Sequence, residues 1–348
     1  MQLFNFVKNI FLKSFFFSLF AIISLNSYAE INNKICLILD KGGKDDKSFN
    51  QSAYEGFLKA QSDFKITKDS KYVTVKEDSQ SPHFIRTLSN GDCGLIIAVG
   101  FNNADIVGKM AQKFPKQRYV LVDSSIKETN IRSLSFQEHE GSFLIGAIAA
   151  IKSKTAKIGF IGGMEIPLIK RFALGFESGA KYINPKIKIT ETYVGVSPAA
   201  WNNPTKAKEL ALSMYNQESD IIFVAAGASS QGVFDAVSDM NKKNNKAETK
   251  KFVIGVDSNQ NYLIPGTVLT SMEKKVNSKI YSAVKDFIEN KFTTGVITCG
   301  FADDGVDWAY DTYNKQLFSN EDIKKINKIK QDIISKKINV PDYYKVGK

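Results

Sequence analysis

The stretch "ICLILDKGGKDDKSFNQSAYEGF", residues 35–57, decides the fold. Its first five residues are all apolar and run directly into Asp40, Gly42 and Gly43, which reads as a short strand buried on both faces and closed by a turn. Ser48 followed by Gln51 has the spacing of a capping box, so a helix is expected to open near Phe49 and continue through Ala53 and Phe57. The two glycines let the loop from Asp40 fold tightly back to that helix. A buried strand, a tight turn and a helix make one unit of a parallel sheet.

The same alternation continues along the chain. Apolar runs "GLIIAVG" (94–100), "RYVLVD" (118–123), "KIGFIGG" (157–163), "IIFVAAG" (221–227) and "KFVIGVD" (251–257) alternate with helix-like patterns such as "NNADIVGKMAQKF" (102–114) and "PTKAKELALSMY" (204–215). Continuous apolar strands separated by helices predict an α/β architecture with parallel sheets covered on both faces. No internal repeat is visible in the sequence. In such sheets ligands bind beyond the carboxyl ends of the strands. Asp40, Asp123 and Asp257 each stand at such an end, and Gly163 and Gly227 close two others, where backbone amides can approach a ligand. One aspartate alone reads as a cap for the next helix; three apolar strands ending alike point to a site. Phe49 is either the first rung of a core stripe or a flat apolar surface facing the crevice.

With 348 residues, 43% of them hydrophobic and 24% charged, the chain suits a globular protein of two lobes. Lys8 and Lys13 precede the apolar run "SFFFSLFAIISL" (14–25), and "SYA" (27–29) places small residues at −3 and −1 of a cut after Ala29. Residues 1–29 are therefore expected to be a cleavable export signal, the run falling short of the roughly 20 residues that span a bilayer. Export to the periplasm follows, and Tyr28-Ala29-Glu30-Ile31 lacks the cysteine of a lipid anchor. The net charge of +11 is spread over scattered lysines without a nucleic-acid motif, so it reads as solvated surface. Cys36, Cys93 and Cys299 are too few for a metal cluster or disulfide scaffold; one pair can bridge after export, and the sequence leaves open which. Only His83 and His139 are available for a histidine-based metal site or triad, and no cofactor is expected. No phosphate-cradling GxxxxGK[ST] or GxGxxG occurs.

"DKGGKDDKSFNQSAYEGF", "AVGFNNADIVGKMAQKFPKQRYVLVDSS", "SFQEHEGSFLIGAIAAIKSKTAKIGFIGGMEIPLIKRFALGFESGAKYINP" and "FVIGVDSNQNYLIPGTVLTSMEKKV" resemble the basic membrane protein family, the purine nucleoside receptor type of ABC transporter substrate-binding protein. The resemblance runs from residue 34 to about 310. It implies a type I periplasmic binding protein fold, with two doubly wound α/β lobes joined by three crossing segments. The lobes are expected at 31–135 plus about 257–290, and at about 136–256 plus 291–348. It also implies a purine nucleoside, such as adenosine, guanosine or inosine, with its base stacked between aromatic rings. Carried over, Phe49 is one ring, Asp40, Asn50 and Asp123 bind the base or its surroundings, and Asp257 and Lys274 hold the ribose hydroxyls. Phe223 is the expected second ring, Trp201 its substitute, and Gly227 brings backbone near the sugar. The implied partner is an inner-membrane ABC permease, and a monomer is expected.

The chain departs from the family pattern in lacking the lipid-bearing cysteine and in carrying Asn203, Ser229, Ser230 and Asn259, which puts fine specificity rather than ligand class in question. Two other readings were weighed. Asp40, Asp45 and Asp46 resemble the calcium loop of nucleoside hydrolases, but Gly42 replaces one aspartate and the spacing is a residue short, so no complete oxygen cage is evident. A periplasmic sensor feeding a chemoreceptor has the same sequence signature as a transport protein. The C-terminal "NEDIKKINKIKQDIISKKI" places Ile323, Ile326, Ile329 and Ile333 at helical spacing and reads as a terminal helix packed on its own lobe.

Overall fold

The computed structural model describes residues 32–77, 79–243 and 247–346; the expected export signal lies outside them. The first half runs β1 (Ile35–Leu39), α1 (Phe49–Asp63), β2 (Lys71–Thr74), α2 (Gln80–Ser89), β3 (Leu95–Val99), α3 (Ala104–Lys113), β4 (Arg118–Val122) and β5 (Ile131–Phe136). It continues through α4 (Glu138–Lys152), β6 (Lys157–Met164), α5 (Pro167–Ile183), β7 (Lys188–Gly195), α6 (Pro204–Asn216), β8 (Ile221–Ala225), α7 (Ser230–Lys243) and β9 (Phe252–Asp257). The last elements are β10 (Val268–Lys274), α8 (Val276–Ile288), β11 (Gly295–Cys299), β12 (Val306–Trp308) and α9 (Asn320–Ile334).

The strands form two six-stranded sheets, ordered β11-β5-β4-β3-β1-β2 and β12-β10-β9-β8-β6-β7. All neighbours pair in parallel except β10 with β12. The first five strands of each half therefore repeat one winding, 2-1-3-4-5, which no sequence repeat announces. Every residue of β1, β3 and β8 is buried, as their unbroken apolar runs require. The edge strands β2 and β7 went unread because half of each faces solvent and their composition is polar. In β10 the buried Thr270 and Ser271 interrupt the apolar pattern, their hydroxyls bonded to Ala309 O (2.7 Å) and Asn261 Oδ1 (3.0 Å).

Three segments pass between the sheets: Phe136 to Glu138, Lys274 to Val276, and Cys299 to Val306. The return to the first sheet thus falls later than the sequence suggested. β10 stays with the second sheet and β11 joins the first, so residues 257–274 and 291–299 sit opposite to the expected boundaries. Strand pairing, which the apolar pattern does not encode, makes that difference. At the first and third crossings, Gln137 N donates to Cys299 O at 2.8 Å. A Cβ on Gly300 would come within 2.1 Å of Gln137 Oε1 and 2.5 Å of Glu140 Oε2, so a larger residue there would displace these two side chains.

Cys36 and Cys93 form a disulfide that ties β1 to the turn before β3, and Cys299 is free and buried. Helix α9 packs Ile326, Ile329 and Ile333 into the core, as its spacing predicted. None of the described helices is long and apolar enough to cross a membrane.

Candidate functional site

The winding of both halves turns over between β1 and β3 and between β6 and β8, and the ends of those strands face one cleft. The cleft is narrow in this structure, with a cavity volume of about 70 Å³. Asp40, Phe49, Asn50, Asp123, Gly227, Asp257 and Lys274 all line it. Residues scattered over more than 200 positions are thereby brought together by two sheets presenting the same edge.

The helix after Asp40 starts at Phe49 as expected, but the expected capping box does not form. Ser48 makes no cap bond. Instead Asp46 Oδ1 accepts from Ser48 N and Gln51 N, and its Oδ2 from Asn50 N and Nδ2, all at 2.9 Å. A carboxylate offers more acceptor sites than a hydroxyl and complements the helix dipole, so it takes the amides. Ser48 Oγ is left to cross the cleft and donate to Asp257 Oδ2 at 2.6 Å. Asn50 Oδ1 accepts Asp40 N at 2.8 Å, so its amide joins Asp40 to Asp46 and keeps one N–H and one lone pair for other partners. A Cβ on Gly42 would lie 2.9 Å from both Asn50 Nδ2 and Asp46 Oδ2, which fixes glycine in this turn.

Phe49 is half-buried and faces the cleft. Phe223 does not. It is completely buried in the second lobe, with ring centroids 5.4 Å from Phe176, 5.6 Å from Phe160 and 6.4 Å from Phe172. Phe223 shares a strand face with Ala225, but the cleft begins only at Ala225, two residues further on, which leaves Phe223 a full repeat deeper in the core. Trp201, the substitute, lines the cleft instead. Its ring occupies the space where Gly163 has no side chain: a Cβ there would approach the ring to 2.2 Å. Ser229 Oγ accepts from Asn203 N and donates to Ala200 O, both at 2.6 Å, and so clamps the loop on either side of Trp201. Asn203 caps α6, and Asn259 Nδ2 donates to Asp311. These departures from the family pattern hold loops, and neither they nor Ser230 lines the cleft.

Phe101, Phe172, Leu168 and Gly100 line the cleft and were missed. The available signal was symmetry. Gly100 (φ 101°) and Gly227 (φ 56°) each follow an apolar strand and open a short 3-10 turn before a helix. Asp123 and Asp257 also match, both at φ 65° immediately beyond β4 and at the end of β9. A non-glycine residue in that left-handed region is uncommon, and neither aspartate caps the following helix.

Lys274 is the electrostatic centre. Its ammonium is 2.5 Å from Asp123 Oδ2 and 3.2 Å from Glu138 Oε1, and its side chain is 1% exposed. Three rings surround it, with centroids of Phe49 and Phe136 at 5.1 Å and of Phe172 at 5.8 Å. Burial alone favours the neutral amine, but Asp123, Glu138 and Asp257 outweigh it and hold its pKa above the ordinary lysine value. Burial likewise pushes Asp123 up from the usual carboxylate range, against the pull of Lys274. Asp257 is pushed up to about 6 by burial, opposed by Lys274 and by the Ser48 hydrogen bond. Two buried polar atoms of the cleft residues have no protein partner: Asp123 Oδ1, an acceptor, and Trp201 Nε1, a donor. Among the described residues no cluster of His, Cys, Asp and Glu is arranged to hold a metal ion. Asp45 pairs with the exposed Lys44, and Asp46 serves the helix.

Two doubly wound lobes linked by three crossings, with a cleft at the ends of both sheets, define a bilobal substrate-binding protein. The chain matches over residues 34–343 the family described as ABC transporter substrate-binding protein, PnrA-like, and it belongs to that Bmp family. It is 33% identical to the "ABC transporter nucleoside-binding protein BmpA" of Lactococcus lactis subsp. cremoris, the match covering 88% of this chain and 89% of that relative. Basic membrane protein A of Borreliella burgdorferi is also 33% identical, over 88% of this chain and 87% of the relative. Among solved structures, an ABC transporter solute-binding protein from Aeropyrum pernix K1 superimposes with a TM-score of 0.80 at 26% identity, covering 88% of this chain and 94% of that one.

Proposed function

We propose that this protein binds a purine nucleoside in the cleft, with the base against Phe49 and Trp201 and the sugar near Asp257, Lys274 and Gly227, and delivers it to an ABC permease outside the cytoplasmic membrane. The observation that carries the reading is the cleft's polar complement. Four carboxylates, Asp40, Asp46, Asp123 and Asp257, face one ammonium, Lys274. Such a lining accepts hydrogen bonds from hydroxyl and amino groups and repels a phosphate dianion, which favours nucleosides over nucleotides. Asp123 Oδ1 supplies a buried acceptor that a donor on the base edge would satisfy. The name of the Lactococcus relative supports the same class.

Closure is the mechanism this arrangement suits. Asp40, Phe49 and Asp123 belong to the first lobe and Trp201, Gly227 and Asp257 to the second, so a ligand touching both stabilises the closed form by its differential affinity. The disulfide between Cys36 and Cys93 is consistent with an exported protein in an oxidising compartment.

The test is calorimetric titration of residues 30–348 with adenosine, guanosine, inosine, uridine, adenine and AMP, with and without chelator. One-to-one binding of purine nucleosides that survives the chelator, with AMP much weaker and no product formed, is expected. Binding of none of the purine nucleosides would overturn the reading. Phe49→Ala should weaken every purine ligand in the panel.

A further inference from the structure

Five side chains of alternating charge connect the C-terminal segment to the cleft. Asp342 Oδ1 lies 2.8 Å from Arg171 Nε, and Arg171 Nη1 lies 2.5 Å from Glu138 Oε2. Glu138 Oε1 is 3.2 Å from Lys274 Nζ, which is 2.5 Å from Asp123 Oδ2. The chain crosses the fold from the tail through α5 and the start of α4 to the ends of β10 and β4. Arg171, Glu138 and Lys274 are all at least 96% buried. Only the last two members, Lys274 and Asp123, line the cleft.

Arg171 uses every donor it has. Nε reaches Asp342 Oδ1, Nη1 reaches Phe136 O (2.7 Å) and Glu138, and Nη2 reaches His139 Nδ1 (2.8 Å) and Asp342 Oδ2 (3.2 Å). Because Arg171 only donates, His139 Nδ1 accepts. Burial, with Arg171 beside it, pushes that imidazole down to about 4, so it stays neutral. The Tyr344 ring covers the guanidinium at 4.3 Å. The tail thus provides two of the five acceptors and a ring over the guanidinium. Tyr344 and Glu138 also wall a space of about 350 Å³ that adjoins the cleft through Phe101, Asp123 and Leu168. Ile338 and Val340, just before this segment, pack against the core and bring it to α5.

We propose that the segment Pro341–Lys345 is a strap that fixes Arg171 through Asp342 and Tyr344 and, through Glu138, positions the Lys274 ammonium for the ligand. A lysine ammonium on a flexible stem, bonded to Asp123 alone, can swing about that one carboxylate. Glu138, 3.2 Å from the ammonium, is a second anchor that fixes it 5.1 Å from the centre of the Phe49 ring. Glu138 can do so only while Arg171 has other acceptors, and the strap supplies them. Without Asp342, two buried guanidinium donors lose their partner, Arg171 turns fully onto Glu138, and Lys274 keeps Asp123 as its single anchor. Asp342, Tyr344, Arg171 and Glu138 are positioning residues in this scheme.

The inference takes only its probe from the nucleoside reading. Titrating wild type, Asp342→Ala, Tyr344→Ala and Asp342→Glu with inosine and adenosine should show affinity about tenfold lower for the two alanine variants, with recovery for the glutamate. Carboxyl-detected NMR of the ligand-free proteins gives a readout that does not depend on ligand identity. The charged groups facing Asp123 are Lys274, Glu138 and Asp257. With Arg171 turned onto Glu138, the Glu138 charge no longer raises Asp123, which should titrate at lower pH in Asp342→Ala, and Glu138→Gln should move it in the same direction. Unchanged affinity, or reduced affinity with an unmoved Asp123 titration, would overturn the strap as a positioning device. If wild type binds no purine nucleoside, the nucleoside reading fails and the strap stands or falls on the Asp123 titration alone. Tyr344→Ala serves the same test if Asp342→Ala does not fold.

Discussion

Replacing Asp257 by alanine removes a carboxylate from the sugar side of the cleft while leaving Phe49 and Trp201 in place. Hydrogen bonds to a charged acceptor contribute about 1.5–3 kcal/mol, so Asp257→Ala should weaken a purine nucleoside roughly 10- to 100-fold and the free base much less. Calorimetry with inosine and hypoxanthine distinguishes the two; equal losses would remove the ribose role. The same carboxylate sets a pH dependence. Its pKa is raised to about 6, and only the ionised form accepts two hydroxyls, so affinity should fall as pH drops through 6, beyond any loss from Asp123, which burial raises to about 7. Binding isotherms at pH 5, 6 and 7.5 check the slope. Phe223 and Trp201 separate core from site. Phe223→Ala should cost about 3–5 kcal/mol of stability, read by chemical denaturation. Trp201→Ala should lower affinity more than stability. Asp257 at a strand end was legible in the sequence, whereas the choice between the two aromatics was not, because spacing does not say how far along a strand the cleft begins.

At the scale of elements, the contact between α4 and α5 depends on glycines that bring backbone against backbone. A Cβ on Gly179 would lie 1.8 Å from Phe143 O, and one on Gly146 would lie 1.9 Å from Phe176 O. No side-chain rearrangement relieves a clash with a carbonyl. Gly179→Ala should therefore cost about 3 kcal/mol or more, measured by urea unfolding, since overpacking a fixed backbone sits at the upper end of such losses. The effect bears on the site because α5 carries Arg171 and Phe172 and α4 begins with Glu138. Helices α1, α3, α6 and α9 were foreseen from their periodicity, and the six strands read as apolar runs all exist. The edge strands and β10 to β12 were not, since exposure or buried hydroxyls break the apolar signal that marks a strand.

Across the whole molecule, the disulfide closes a loop of 57 residues within the first lobe, spanning α1, β2 and α2. On the chain-entropy estimate this contributes about 4 kcal/mol, so reduction should lower the melting temperature of the protein by several degrees or more while Cys299 stays untouched. Thermal melts with and without reductant, and of Cys36→Ser/Cys93→Ser, provide the comparison. The lobes also meet through contacts that need no ligand: Ser258 Oγ to Ser48 O (2.9 Å), Gln260 Nε2 to Lys47 O (2.8 Å), and the Lys274–Asp123 pair. Of these, the Lys274–Asp123 pair lines the cleft, so there ligand binding and lobe contact involve the same side chains.

The sequence by itself determined the α/β class, the family, and which strand ends carry aspartate or glycine, because apolar runs and residue identity are local properties of a chain. It did not contain the repeated winding, the assignment of β10 and β11 to opposite sheets, the Cys36–Cys93 pairing or the burial of Phe223. Nor did it show that Asp46 rather than Ser48 caps α1, or that Asp342 reaches Arg171 from 171 positions away. Each of these is decided by which distant segments the packing brings within a few ångströms, where hydrogen bonds and excluded volume act between residues that have no relation along the chain.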